Sequence, residues 1–142
     1  MRITDVLRGK GTNVVTVRPD SPVTELLDLL AEHRVGALVV SSDGVTVEGI
    51  VSERDVVRRL QRDGAAMLSS PVSEIMTVEV ATAEPDLHLD DLMRLMTDGR
   101  FRHVPVLVDG ELSGIVSIGD VVKNRIDELE TENVHLTAYI TG

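Results

Sequence analysis

Cysteine and tryptophan are absent from this chain, and phenylalanine and tyrosine occur once each, at Phe101 and Tyr139. Without cysteine there is no disulfide, no thiolate metal site and no cysteine nucleophile. With so few aromatic side chains, the stacking platforms that hold single-stranded nucleic acid cannot be built. Any base bound here must lie between aliphatic side chains. Positive charge is also scarce: 14 lysines and arginines face 24 aspartates and glutamates, for a net charge of −10. A phosphate backbone needs a basic stripe, so no nucleic-acid partner is expected. The second half is the repelling one, because residues 1–71 carry nine basic and ten acidic groups whereas residues 72–142 carry five and fourteen. No apolar run approaches the roughly 18 residues of a membrane span. The start, MRITDVLRGKG, has no hydrophobic signal region, so the expected setting is the cytoplasm, away from membranes.

What is present is a globular composition, 42% hydrophobic and 27% charged. A chain of 142 residues makes one compact domain or two very small ones, and buries roughly two thirds of its unfolded surface. Its text is written twice. GIVSERDVV from Gly49 returns as GIVSIGDVV from Gly114. The match extends upstream: the segment from Val15 aligns without gaps to the one from Ala81 at an offset of 66, setting Thr16, Pro19, Asp20, Leu26 and Leu29 on Thr82, Pro85, Asp86, Leu92 and Leu95. ITDVL at Ile3 likewise echoes VSEIM at Val72.

Each copy reads as a short strand ending at the threonine, a helix, two strands joined by a turn at Asp43-Gly44 or Asp109-Gly110, and a second helix opening inside the nine-residue match. Ser21 and Pro22 mark the start of the first helix, Leu26, Leu27 and Leu30 its apolar stripe, and Gly99 the stop of its counterpart. The expected fold class is α/β, β-α-β-β-α twice, with residues 1–67 and 68–131 as the two copies and residues 132–142 completing an extended C-terminal helix. A copy of about 65 residues is near the size at which a lone core is marginal. The copies are therefore expected to pack with pseudo-two-fold symmetry and to place equivalent loops on a shared cleft.

Ser52 with Asp55, and Ser117 with Asp120, fit S-x-x-D, a helix capping box in which the serine oxygen accepts from an early helix amide and the aspartate reaches back to the serine's amide. The same geometry suits a ligand, since a carboxylate in the first helical turn can accept both hydroxyls of a ribose while the helix N-terminus favours a nearby phosphate. Gly49 and Gly114 could admit a ligand to the backbone or accommodate a bend in the strand. With threonine, Pro-Asp, helix, hairpin and S-x-x-D recurring in one order, the chain resembles the CBS-domain family, whose tandem copies form a Bateman module. The resemblance runs for about 120 residues, from Ile3 through the second helix of the second copy, and is strongest with short stand-alone bacterial members through SERDVVRRL and RHVPV followed by GIVSIGDVVK.

The resemblance implies non-catalytic binding of an adenosyl ligand, AMP, ADP, ATP or NAD ahead of S-adenosylmethionine, in two related clefts. It puts Asp55 and Asp120 on ribose, with Ser52 and Ser117 near ribose or phosphate. The cleft of the second motif would comprise Thr16, Val35, Gly36, Ala37, Arg102, His103, Ile115, Ser117 and Asp120. That of the first would comprise Thr82, Phe101, Ile50, Ser52, Arg54 and Asp55. Aliphatic members of either set could equally be core. The copies differ where phosphate contacts are expected: Arg102 and His103 offer the second cleft a cationic partner, and the first has only Arg54 or Arg58, which a solvated helix face would also carry. The Asp120 cleft is therefore expected to be the tighter for a charged nucleotide.

Other signals carry less. RGKGT at Arg8 lacks the spacing of a phosphate-binding loop, the histidines at 33, 88, 103 and 135 have no metal-ligand spacing, and no serine lies in a G-x-S-x-G elbow. Val122, Ile126, Leu129, Asn133, Leu136 and Ile140 alternate steps of four and three. That is a seam with one polar member, suited either to a partner chain or to folding back on the core. The combined expectation is a homodimeric nucleotide sensor read by an effector protein that the sequence does not name. The alternative is a constitutive dimerisation module with vestigial clefts.

Overall fold

In the computed structural model, residues 1–11 and 14–141 are described. Thr12 of RGKGT and Gly142, at the end of the expected helical extension, lie outside the described residues. The order is α1 (Ile3–Lys10), β1 (Thr16–Val17), α2 (Val23–His33), β2 (Ala37–Val40), β3 (Gly49–Ser52), α3 (Glu53–Asp63), two 3-10 turns (Ala65–Ser69 and Val72–Glu74), α4 (Leu89–Gly99), β4 (His103–Val108), β5 (Glu111–Ser117) and α5 (Ile118–Thr141). β1 pairs in parallel with β2, and β2 antiparallel with β3. β4 and β5 form the second hairpin, shifted in register between Val106 and Leu107. Its β1 equivalent shrinks to Ala83, bridged in parallel to Val106. The first strand begins at the threonine instead of ending there, because Thr16 and Val17 are the residues in register with Val39 and Val40.

Local chemistry explains most boundaries. Asp109 and Gly110 both adopt positive φ, 52° and 80°, the pair needed by a two-residue hairpin turn. In the longer turn of the first copy, Asp43 Oδ1 accepts from the amides of Val45 and Thr46 at 2.8 and 2.7 Å and from the Ser41 hydroxyl at 3.0 Å. These bonds, led by the Thr46 amide, hold the Asp43 carboxyl far below the ordinary range. α2 has Pro22 as its N-cap, while Ser21 is buried and its carbonyl accepts from the Val72 amide at 2.8 Å. Its buried stripe is Val23, Leu26 and Leu30, with Leu27 left exposed. Both α2 and α4 end on a left-handed arginine, Arg34 and Arg100. Gly99 is not that terminator: a Cβ there would lie 1.9 Å from the Phe101 ring, so the glycine exists to admit the ring.

The two cores do not follow chain order. Val72, Ile75 and Met67 complete the first, with Val17, Val23, Leu26, Leu30, Leu38, Val40, Val51 and Val56. Ile3, Val6 and Leu7 of α1 complete the second, with Ala83, Leu89, Leu92, Met96, Val104, Val106, Val116 and Val121. The segments that echo one another in sequence are thus exchanged, each leaving the copy it precedes in sequence or sealing the copy it follows. Backbone pairing fixes the exchange through the bridges Arg2–His88 and Pro22–Pro71 and through Ile50–Thr77, whose reciprocal bonds are 3.0 and 2.8 Å. Burial of Ile3, Val6 and Leu7 contributes roughly 5–9 kcal/mol before ordering costs.

The exchange also accounts for the signature glycines. A Cβ at Gly49 would lie 2.8 Å from both Met76 Sδ and the Thr77 carbonyl, and one at Gly114 would lie 2.9 Å from Leu7 Cδ2. Both make room for the exchanged segment. α5 is 24 residues long, about 36 Å at 1.5 Å per residue. Val121 is its buried residue, while Val122, Ile126, Leu129, Leu136 and Ile140 all stand exposed. The seam does not fold back on the core.

Candidate functional site

Each S-x-x-D serine is the last residue of a strand and the N-cap position of the helix that follows. Strand register sets Ser52 opposite Ala37 and Ser117 opposite His103. The next amides continue the contact, Glu53 donating to the Gly36 carbonyl at 3.0 Å and Ile118 to the Arg102 carbonyl at 2.8 Å. In the first copy the Ser52 amide and hydroxyl both donate to Asp55 Oδ2, at 2.8 and 3.0 Å, and the Asp55 amide donates to Ser52 Oγ at 3.4 Å. In the second, the Ser117 amide donates to Asp120 Oδ2 at 2.9 Å and the Asp120 amide to Ser117 Oγ at 3.2 Å. The capping box is therefore real in both copies. It uses one carboxylate oxygen: among the described residues Oδ1 of Asp55 and of Asp120 accepts no hydrogen bond, and neither is a buried atom lacking a partner.

Around Asp120 the structure adds a residue that the motif does not contain. Lys10, at the end of α1, donates from Nζ to Asp120 Oδ2 at 2.6 Å and to the Ile115 carbonyl at 2.9 Å. Burial pushes the Asp120 carboxyl up, but the Lys10 bond, the Ser117 amide and the lysine charge together outweigh it and hold the group below the ordinary carboxylate range. His103 is pushed below its ordinary value by burial first and by the Lys10 charge second, with Asp120 and Glu53 opposing. The cation bonded to this carboxylate is Lys10, while His103 stands at the start of β4. Arg102 next to it is exposed.

The copies meet at Gly36. A Cβ there would lie 3.3 Å from Glu53 Oε1 and 3.8 Å from His103 Cε1, which brings Gly36 and His103 from different copies into one place. Val35 beside it is exposed and Ala37 is buried. Ile115 is half-buried in β5 opposite Pro105. Thr16 lies in β1 opposite Val39, and Thr82 is exposed next to the Ala83 bridge. On the first-motif side, Ile50 pairs with Thr77, Phe101 packs on the second core and over Gly99, and Arg54 is exposed on α3. Asp55 opens into a pocket of about 230 Å³ with Arg58, Arg59, Arg62 and Ile75. Arg59 bonds the Glu74 carbonyl at 2.6 Å, and Arg59 and Arg62 both pair with Asp63.

Lys10 was missed because it belongs to RGKGT, dismissed for its spacing, and because nothing in one copy's text says that α1 docks on the other. The echo of ITDVL in VSEIM was the available signal. Among the described residues no cluster of three His, Cys, Asp or Glu side chains could hold a metal ion, and no helix is long and apolar enough to cross a membrane.

Comparison with known proteins agrees with this architecture. The family model described as CBS domain matches residues 4–62 and 72–127. The chain is 38% identical over 148 aligned positions to the mitochondrial CBS domain-containing protein CBSX3 of Arabidopsis thaliana, covering 99% of this chain and 72% of that one. The crystal structure of the CBS-domain containing protein ATU1752 from Agrobacterium tumefaciens superposes with a TM-score of 0.85 at 48% identity, over 88% of this chain and 99% of that one. The CBS domain pair of protein MJ0100, crystallised with 5′-methylthioadenosine and S-adenosyl-L-methionine, shares the fold with a TM-score of 0.79 at 23% identity, over 90% of this chain and 98% of that one.

Proposed function

Since this chain belongs to the CBS-domain family, we propose that it is a non-enzymatic regulatory module that binds an adenosyl nucleotide in clefts between its two copies. One observation carries the reading. Each S-x-x-D aspartate completes its cap through Oδ2 and leaves Oδ1 unoccupied, so helix capping and ribose recognition are compatible at one carboxylate. The helix N-terminus behind each carboxylate also favours a nearby phosphate. The adenosyl ligands of the MJ0100 pair are consistent with this class. For this chain the expected ligands are AMP, ADP, ATP or NAD, ahead of S-adenosylmethionine. Thr16 would accompany Asp120, and Thr82 would accompany Asp55. Ligand acts by population shift, favouring whichever packing of the copies it binds better.

The exposed stripe Val122, Ile126, Leu129, Leu136 and Ile140 on α5 supports a second component of the reading, a homodimer joined along this helix with Asn133 fixing its register. If the clefts are vestigial, this surface is the function that remains, a constitutive dimerisation module.

A thermal-shift series with AMP, ADP, ATP, NAD, NADH and S-adenosylmethionine tests the nucleotide reading. Ligand at 100 times its dissociation constant stabilises by about 2.7 kcal/mol, enough to raise the midpoint by several degrees. Asp55→Asn and Asp120→Asn keep a capping oxygen and should lose that shift; the ligand-free midpoint should stay near the wild type for Asp55→Asn and fall modestly for Asp120→Asn, which also loses its ion pair with Lys10. A flat response across the panel at millimolar ligand, with the fold intact, leaves the dimerisation module as the function.

A further inference from the structure

Lysine is rare in this chain: Lys10 and Lys123 are its two examples, against twelve arginines. One of the two sits on the ribose-reading carboxylate of the second cleft. Lys10 is held there from both ends, since Ile3, Val6 and Leu7 anchor α1 in the second core while Nζ bonds Asp120 Oδ2 and the Ile115 carbonyl. The pair is partly shielded, with side chains 34% and 25% exposed. Among the described residues the Asp55 carboxylate is bonded by Ser52 and by no lysine or arginine, although Arg58, Arg59 and Arg62 share its pocket. The register that sets Ile3 on Val72 puts Glu79 where the first cleft would need its lysine.

We propose that Lys10 is a latch that makes the Asp120 cleft selective for adenosyl ligands carrying a phosphate. The inference rests on the nucleotide reading above and deepens it. Without ligand, the ammonium neutralises the carboxylate that ribose must reach. A nucleoside whose two ribose hydroxyls take both carboxylate oxygens competes with Nζ at Oδ2, so the lysine loses part of a charge-assisted bond at a site only partly open to water. A phosphate next to the ribose gives the ammonium a new anionic partner within the sweep of its flexible stem. An uncharged adenosyl compound gives it none. The first cleft has no cation bonded to its aspartate among the described residues, so an uncharged adenosyl compound displaces none there.

The test compares AMP with adenosine by titration calorimetry on the wild-type chain and on Lys10→Met. In the variant, the preference for AMP over adenosine at the Asp120 cleft should fall about tenfold or more, the scale of one hydrogen bond to a charged group. Adenosine affinity should hold or rise, because its competitor is gone. Equal changes for both compounds overturn the latch and leave the nucleotide reading standing. Binding of neither compound by the wild type overturns the nucleotide reading and the selectivity with it. Lysine acylation followed by mass spectrometry gives an independent readout, with the exposed Lys123 as internal reference. Ligand-free Lys10 should react more slowly than Lys123, and Asp120→Asn should remove the difference. Saturating adenosine should expose Lys10 to the reagent and AMP should not. Lys10 reacting as fast as Lys123 in the wild type refutes the latch.

Discussion

Gly49→Ala and Gly114→Ala distinguish packing from ligand access as the reason for the signature glycines. At Gly49 the new methyl meets Met76 Sδ and the Thr77 carbonyl, both at 2.8 Å. The sulfur can swing away, but the carbonyl is fixed by its bond with Ile50. Relief must therefore stretch the Ile50–Thr77 bridge. Overpacking costs about 1–3 kcal/mol, and weakening two backbone bonds adds up to about 1 kcal/mol each. The lower entropy of the unfolded alanine chain offsets about 0.4–1 kcal/mol. The net expectation for Gly49→Ala is a loss centred near about 2 kcal/mol and reaching about 4 kcal/mol. At Gly114 the neighbour is the end of the Leu7 side chain, at 2.9 and 3.2 Å, which can rotate. The net there is about 0–1.5 kcal/mol. Urea unfolding at a slope near 2 kcal/mol/M turns this into a midpoint drop of roughly 1–2 M for the first variant and under 1 M for the second. Equal losses, or Gly114→Ala the more damaging, would refute the argument. So would a Gly49→Ala protein of full stability that had lost ligand binding, since that is the result ligand access requires.

Three further outcomes are expected. His103 has a folded pKa below its unfolded value, so the unfolded chain takes up its proton first and stability falls as pH drops below about 6.5. His103→Gln should flatten the unfolding midpoint between pH 6.5 and 5, leaving the steeper loss in acid where depressed carboxyls such as Asp120 protonate; an unchanged pH profile contradicts the assignment. Truncation after Asn124 should convert a dimer to a monomer in light scattering with little loss of monomer stability, because the removed seam is exposed in the single chain; an unchanged mass excludes α5 from assembly. Asp43→Ala should release the Val45 and Thr46 amides to fast hydrogen exchange while those of the β4–β5 hairpin stay protected; retained protection means that the turn is held by something other than this carboxylate.

The sequence was most legible where chemistry is local. Asp109-Gly110 announces its turn because few residues tolerate two successive positive φ values, and S-x-x-D announces a helix start because a four-residue motif satisfies its own amides. The repeat exposed the two-copy architecture for the same reason. What stayed hidden depends on contacts between distant segments. Gly99 looks like a helix stop until Phe101 is seen above it, and Leu27 looks like core until the helix is docked. The glycines of GIVS invited a ligand explanation because the residues that crowd them, Met76, Thr77 and Leu7, belong to segments a self-alignment assigns elsewhere. Lys10 fell outside the candidate site by the same route: its partner Asp120 is 110 positions away.

The exchange of segments sets an order of events on the ribosome. The first core can close once Ile75 has emerged, since every residue it needs lies upstream. The apolar face of α1 is made first and sealed last, because its core is incomplete until Val121 appears. At roughly 5–20 residues per second, Ile3, Val6 and Leu7 wait about 2–9 s after the first half is ready. During that interval the nascent chain presents a short, uncovered amphipathic helix ahead of the first core. Once Val121 has emerged, the arriving second copy captures the helix, and the earlier-made α1 delivers Lys10 to the later-made cleft.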